Sequence, residues 1–361
     1  MVIPHRRKLG WLLAVIILLL AARIVLPYAV KAYLNGRMAR MGEYHGHIAD
    51  IDIHLWRGAY SIDALRIDKL TGKLPVPLFE VKRADIALSW RALSHGVLRG
   101  TVDFIEPTVN FIDGNSEGEK QNGKGVDWRS ELKLLAPTRL EELDVHNGTV
   151  TFQNFVSHPR VDLKMTAVNG TVTNLTNLDR RVGRRVAELH VTAKILGDAP
   201  LEAKASFDPL EHEGDFSYEL RATGIQLIRA NDLARAYTGL DFAGGAGDFV
   251  MQLEAKDGRL DGYAKPLFHD LQLFSWKQDV EQDKKGPLKL AYEALAQGVV
   301  SVFKNHAKDQ FATRIPISGR IDDKQLDTVQ AIIGVLRNAF VKAYSPQLEQ
   351  LEPAPTQGAH E

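Results

Sequence analysis

The sequence contains no cysteine. Disulfides, thiol catalysis, cysteine-ligated zinc and iron–sulfur clusters are therefore excluded, and so is a lipidated cysteine. An oxidising compartment is not excluded, because a chain of 361 residues can bury enough surface to need no covalent staples. Excess charge of one sign is missing too: 45 Lys and Arg face 45 Asp and Glu. A general nucleic-acid binder wants a basic surface, so no nucleic-acid partner is expected. Common catalytic signatures are also absent. There is no GxSxG elbow, no phosphate-binding GxxxxGKS/T loop and no HExxH helix.

One long apolar run stands out against this background. Leu9 to Ala22 carries no charge, Arg23 interrupts it, and Ile24, Val25 and Leu26 extend it. Read over 9–28 it gives about 30 Å of helix, enough to cross a bilayer core. Arg23 near its far end is tolerable because a long stem lets the charge snorkel to the headgroups. A basic segment, 1–8, leads into it through His5, Arg6, Arg7 and Lys8. A cleaved signal peptide is the rival reading. Leu20-Ala21-Ala22 puts leucine where cleavage wants a small residue, so the run is read as a retained anchor. Lys31, Arg37 and Arg40 balance the leading basic residues, and charge bias gives no orientation. Val30, Leu34, Met38 and Met41 recur at helical spacing, which predicts a juxtamembrane helix over 29–44, weakened at Asn35-Gly36 and acting as a spacer.

From His45 the period changes from helix to strand. Ile51, Ile53 and Leu55 alternate with Asp50, Asp52 and His54, and Tyr60, Ile62, Leu65 and Ile67 follow the turn at Trp56-Arg57-Gly58. The alternation slips between Ile62 and Leu65, which predicts a bulge. Further strands are expected over 79–90, 98–104 and from Val109, with a helical turn at Arg91 to His95. Asp113 to Gly125 is rich in Gly, Asn and charge and is expected to be a solvated loop and internal boundary, followed by a short helix near Trp128 to Leu135. VHNGTVTF and VNGTVTN place Asn147-Gly148 and Asn169-Gly170 between alternating apolar residues, a strong hairpin-turn signal.

The clearest strands come next. Leu189 to Ile195, Leu201 to Phe207, Phe216 to Ala222 and Phe249 to Ala255 each alternate apolar and polar residues, the mark of antiparallel sheet with one wet face. Leu260 to Trp276 continues the sheet. Asn231 is expected to cap a short helix, Asp232 to Tyr237. Two amphipathic helices are expected toward the end, one carried by Leu288, Ala291, Leu295 and Val299 and one by Leu326, Val329, Ile333 and Leu336, with a strand over 312–321 between them. Residues 346–361 read as a disordered tail. The fold class is thus mainly β with helices (α+β): a transmembrane helix, then a large twisted antiparallel sheet over 45–345, its apolar face either an open groove or a closed core.

His45, His47, Asp50, Asp52 and His54 form the only dense group of metal-type ligands. Asp50, Asp52 and His54 would share one strand face and could hold zinc, but that face is equally the wet side of the strand. His306 and Asp309 lack a third partner. Asp241 to Asp248 is Gly-rich, but it precedes a strand rather than a helix and reads as a flexible turn. Trp90, Phe274 and Trp276 suit a lipid-lined groove or a core. Gly262, Lys265 and Pro266 suggest a strand end on an edge guarded by lysine. No residue is assigned as catalytic, cofactor-binding or metal-ligating, and no cofactor is expected.

The anchor, then LFEVKRADIALSWRALSHGVLRGTVDFIEPTVNFIDG, RANDLARAY, DGRLDGYAKPLF and VFKNHAKDQFATRIPISG, together resemble the AsmA-like envelope proteins, in an uncharacterised branch. The resemblance covers roughly Leu9 to Ile321. It implies a Gram-negative host, a single inner-membrane anchor and a periplasmic β-rich body. It implies a non-enzymatic role in phospholipid transport or outer-membrane homeostasis, with inner membrane, phospholipid and other envelope proteins as partners. A tethered scaffold for envelope protein assembly is the alternative, and a metal-dependent hydrolase using the His45 to His54 group is a third. About 15 strands at about 4.8 Å each give about 70 Å of sheet, short for a conduit between two membranes.

Overall fold

The computed structural model describes residues 5–54, 58–70, 74–89, 99–123, 126, 139–175, 187–207, 215–238, 241–273, 310–312 and 314–320. The helices expected over 91–95, 128–135, 288–303 and 326–344, the 346–361 tail, and Trp90, Phe274, Trp276, His306 and Asp309 lie outside the described residues. The chain divides into two compact units, Met1–Lys194 with Ala203–Gly214, and Ile195–Glu202 with Asp215–Glu361. Strand dominates both.

The first unit opens with α1, His5–Met38. Its strands are β1 (Tyr44–His54), β2 (Ala59–Lys69), β3 (Phe79–Leu88), β4 (Arg99–Ile105), β5 (Thr108–Asp113), β6 (Arg139–Asn154), β7 (Val161–Thr173) and most of β8 (Ala187–Ile195). They lie side by side in the order β1-β2-β3-β4-β6-β7-β8, with β5 between β3 and β6. The pairs β1/β2, β2/β3, β3/β4 and β6/β7 are antiparallel, as the alternating patterns predict. β4 and β5 depart from that expectation, since both run parallel to β6. Parallel neighbours need a long return, and about 25 residues separate Asp113 from Arg139. The charged loop after β5 begins this return and is pinned to the sheet. Ile112 and Gln121 exchange backbone hydrogen bonds, and the Gln121 amide donates to Asn110 O at 2.9 Å. Lys69 Nζ donates to Glu117 O and Lys120 O at 2.7 and 2.9 Å.

The slip expected between Ile62 and Leu65 is real, but it is not a single bulge. A bulge adds a residue to one strand only. Here β1/β2 pairing steps from Ile48↔Leu65 to Asp50↔Asp63, and β2/β3 pairing from Asp63↔Arg83 to Leu65↔Val81, so each partner skips one residue and the register holds. The same level passes through Glu106, between β4 and β5, and through Asn147 in β6. Ala64, Glu106, Asn147 and Ala167 all take left-handed φ, between 49° and 51°. Each costs about 1–2 kcal/mol for a residue with a Cβ and persists only where neighbouring strands fix it. The result is a crease crossing several strands at one level. It lets Ile48 and Ile51, Ile62 and Leu65, and Val81 and Ala84 all be buried, although each pair is three residues apart.

The crease also corrects the hairpin expectation at Asn147-Gly148 and Asn169-Gly170. Both pairs lie inside long strands, β6 and β7. The Asn169 side chain accepts from Asn147 N at 3.0 Å and donates to Ala167 O at 2.9 Å. Of these four residues only Asn147 takes left-handed φ, a conformation that Asn tolerates and that a type I′ turn also requires; in β7 the left-handed residue is Ala167. The true β6–β7 turn is at 155–160, where Asn154 Oδ1 accepts from Val156 N and Ser157 N.

The second unit contains β10 (Phe216–Gln226), a 3-10 turn (Leu227–Ala230), α2 (Asn231–Thr238), β11 (Phe242–Lys256), β12 (Arg259–Leu273), β13 (Gln310–Ala312) and β14 (Ile315–Arg320). The strand β9 (Ala199–Phe207) has residues in both units. β10, β11 and β12 are antiparallel neighbours, and β13 and β14 both pair with the far side of β12. The strand expected over 312–321 is thus two short ones. Asn231 starts α2, but its side chain is spent elsewhere. It donates to Phe242 O at 2.9 Å and accepts from Phe242 N at 2.8 Å, tying the helix to β11.

Candidate functional site

Among the described residues, two apolar sheet faces are the features with functional potential, one in each unit. In the first unit the buried face includes Ile48, Ile51, Ile62, Leu65, Val81, Ala84, Ile86, Val102 and Phe104. The end of α1 covers part of it. Leu34, Met38 and Met41 belong to this core, with Val30 packed against it. Gly46 makes the close approach possible, since a Cβ there would collide with the end of Met38. Asn35 fixes the approach: its Nδ2 donates to Ile48 O at 3.1 Å and its Oδ1 accepts from Ile48 N at 2.7 Å. The spacer expected over 29–44 is therefore part of the folded body. Tyr60 lies against this core, and burial pushes its phenol up to about 12.

Among the described residues, one helix is long and apolar enough to cross a membrane, over Ile16–Met38 by length and composition. Leu34 and Met38 are only 4% and 3% exposed, packed on the sheet. The exposed apolar part lies earlier, with Trp11, Leu13, Ile16, Ile17, Leu18 and Leu20 open to the surroundings. Pro27 stands between these two parts. Lacking an N–H, it leaves Arg23 O without its helical donor.

In the second unit the face is built by register. Tyr218 stands opposite Leu253, Leu220 opposite Met251, and Ala222 opposite Phe249. Across the next pair, Phe249 meets Pro266, Met251 meets Ala264 and Ala255 meets Leu260. Tyr218, Leu220, Phe249, Met251 and Leu253 are half-buried, while the alternate Glu219, Arg221, Gln252 and Glu254 are exposed. Gly262 sits where β11 comes closest: a Cβ there would overlap Gln252 O and lie 2.9 Å from Leu253 Cα.

Lys265 and Pro266 are not at a strand end, as expected, but inside β12. β14 pairs with Arg259 to Ala264 and β13 with Leu267 to His269, so these two residues fall between the partners. Proline's missing donor costs no ladder bond on that side. Arg314, between β13 and β14, stacks on the Tyr263 ring at 3.9 Å.

The Gly-rich 241–248 stretch is likewise not a turn before a strand, because β11 begins at Phe242. Its glycines absorb register shifts at Gly244, and Gly245 takes φ +106°. Asp248 follows, accepting from Gly224 N at 2.8 Å and lying 3.1 Å from His269 Nε2. Burial raises its pKa, but the Gly224 amide and His269 outweigh this and hold its carboxyl below the ordinary value.

The His45 to His54 group is spread along β1. Asp52 and His54 approach at 3.5 Å, and Asp52 is also engaged by Arg23 at 3.3 Å. Among the described residues no three His, Asp or Glu side chains come together to hold a metal ion. Sequence reasoning missed the Asn35–Ile48 clamp and the Arg23–Asp52 contact. The Met-rich helical spacing before β1 was the one signal for them.

Neither the protein-family models nor the curated proteins compared with the chain match it.

Proposed function

We propose that this chain is a membrane-anchored protein of AsmA-like type whose β-rich body shields phospholipid acyl chains, in envelope lipid transport or outer-membrane homeostasis. The reading places the anchor in the inner membrane and the body in the periplasm. The observation that carries it is the half-buried apolar row Tyr218, Leu220, Phe249, Met251 and Leu253 on one side of an antiparallel sheet, with charge on the other. Such a row gains about 25 cal/mol per Å² when apolar area leaves water, and an acyl chain supplies that area without needing hydrogen bonds. The exposed apolar half of α1 supports the tether.

Extraction of the purified full chain with organic solvent, followed by mass spectrometry, tests the reading. About one phospholipid per chain is expected, falling several-fold in the double variant Leu220→Glu, Leu253→Glu. Equal lipid in both proteins would overturn it.

A second reading, a tethered scaffold for envelope protein assembly, draws on the first unit. There the end of α1 covers part of the sheet face that an acyl chain would otherwise use.

A further inference from the structure

The contacts between α1 and β1 fix more than an anchor. Met38 lies at Gly46, Asn35 is hydrogen-bonded to Ile48, and Arg23 Nη2 donates to Asp52 Oδ1 at 3.3 Å. Helix and strand therefore run side by side in opposite directions. From Asn35 back to Arg23 the helix covers about 18 Å, and from Ile48 to Asp52 the strand covers about 13 Å. The guanidinium reach makes up the difference. An exposed ion pair of this kind contributes little energy; its value is as a marker of position.

Before Arg23 the described side chains of the helix are all exposed. From His5 to Ala22 it spans about 27 Å, close to the thickness of a bilayer's hydrocarbon core. Trp11, Leu13, Ile16, Ile17, Leu18 and Leu20 are all exposed along it, from 45% to 76%. The residues after Pro27 cannot serve the same purpose, because Leu34, Asn35 and Met38 are committed to the sheet. Ile24, Val25 and Tyr28 are exposed as well. But Asp50 and Asp52 lie on β1 between the levels of Asn35 and Arg23, and sinking those carboxylates into hydrocarbon is costly, which sets the near face of the membrane at Arg23 rather than at Tyr28. Asp52 is held at that level, with His54 and its cross-strand partner Ala59 one step further toward the membrane.

We propose that the end of the first unit formed by Asp52, His54 and Ala59 rests on the phospholipid headgroup layer of the membrane that α1 crosses. The contact is continuous with the anchor, and the part-exposed Arg23–Asp52 pair offers both charge signs to a zwitterionic headgroup. The inference rests on the membrane-anchor reading above. It adds that the body is seated on the bilayer at a fixed depth and does not swing on a spacer.

The missing cysteines make the test direct, since any introduced thiol is unique. Single variants Leu18→Cys, His54→Cys, Ala59→Cys and Leu70→Cys of the full chain are spin-labelled. They are reconstituted in vesicles of phosphatidylethanolamine and phosphatidylglycerol at about 3:1. Power saturation compares collision with oxygen, which concentrates in lipid, against a water-soluble nickel chelate. Leu70 is at the other end of β2, about 35 Å from Ala59. The expected order of the oxygen-to-nickel ratio is Leu18 highest, His54 and Ala59 between, and Leu70 lowest, with His54 and Ala59 at least threefold above Leu70. Ratios at His54 and Ala59 equal to Leu70, with Leu18 still in lipid, overturn the seating and leave the anchor standing. A nickel-accessible Leu18 overturns the anchor, and the seating with it.

Discussion

The Asn35 side chain donates to Ile48 O and accepts from Ile48 N, at 3.1 and 2.7 Å, so one residue of α1 occupies both backbone groups of one residue of β1. The end of a long apolar helix is thereby made part of the sheet. Asn35→Ala removes both bonds and leaves the Ile48 amide without an acceptor. A loss of about 1–3 kcal/mol is expected. Hydrogen exchange at the Ile48 amide, measured by mass spectrometry on the detergent-solubilised chain, should quicken while β11 and β12 amides are unaffected.

Two glycines should respond in opposite directions. Gly36 lies in α1, and a Cβ added there would meet nothing within 4 Å, so Gly36→Ala should stabilise by up to about 1 kcal/mol through helix propensity. At Gly262 the same methyl would overlap the β11 backbone, and Gly262→Ala should destabilise by about 1–3 kcal/mol. Thermal unfolding of the two variants side by side checks the sign of each.

The crease makes its own prediction. Ala64 holds φ 50° only because the flanking strands demand it. Ala64→Gly should stabilise by about 0.5–1 kcal/mol, the relief of left-handed strain less the added unfolded-chain entropy. Ala64→Val, β-branched and less tolerant there, should destabilise. Denaturant midpoints at unchanged slope distinguish these outcomes.

The strands were legible in the sequence because alternation reports which side is wet, and β8, β9, β10 up to Ala222 and β11 from Phe249 follow that rule. What the alternation could not show is why it slips. A slip in one strand looks like a bulge, and only the neighbouring strands reveal that Ala64, Glu106 and Asn147 slip together. Asn147-Gly148 carried a true signal for left-handed backbone, but that requirement is shared by turns and creases. Lys265-Pro266 signalled an unpaired side correctly and a strand end wrongly, because the gap lies between two short partners. The half-buried row on β10 and β11 was readable as one apolar face. The Asn35 clamp was not, since a polar residue beside glycine in a helix reads first as a weak point.

Tyr60 gives a pH dependence with a definite sign. Its phenol is pushed up to about 12 by burial, against an ordinary value near 10. The folded state holds the proton more tightly, so this contribution is complete below about pH 10 and is lost as pH rises toward 12. The loss amounts to about 2–3 kcal/mol at most. Stability measured across that window should fall less steeply in Tyr60→Phe than in the unaltered chain.

The central claim is that the apolar side of the β10–β11–β12 sheet meets acyl chains. Photo-crosslinking at single positions in native membranes tests it most directly, with a benzophenone amino acid at Leu220 or Leu253 and, as controls, at Glu219 or Glu254 on the opposite side. The account predicts phospholipid adducts at Leu220 and Leu253, identified by mass, and none at the two glutamates. Absence of lipid adducts at both leucines, or equal yields on the two sides, would contradict it.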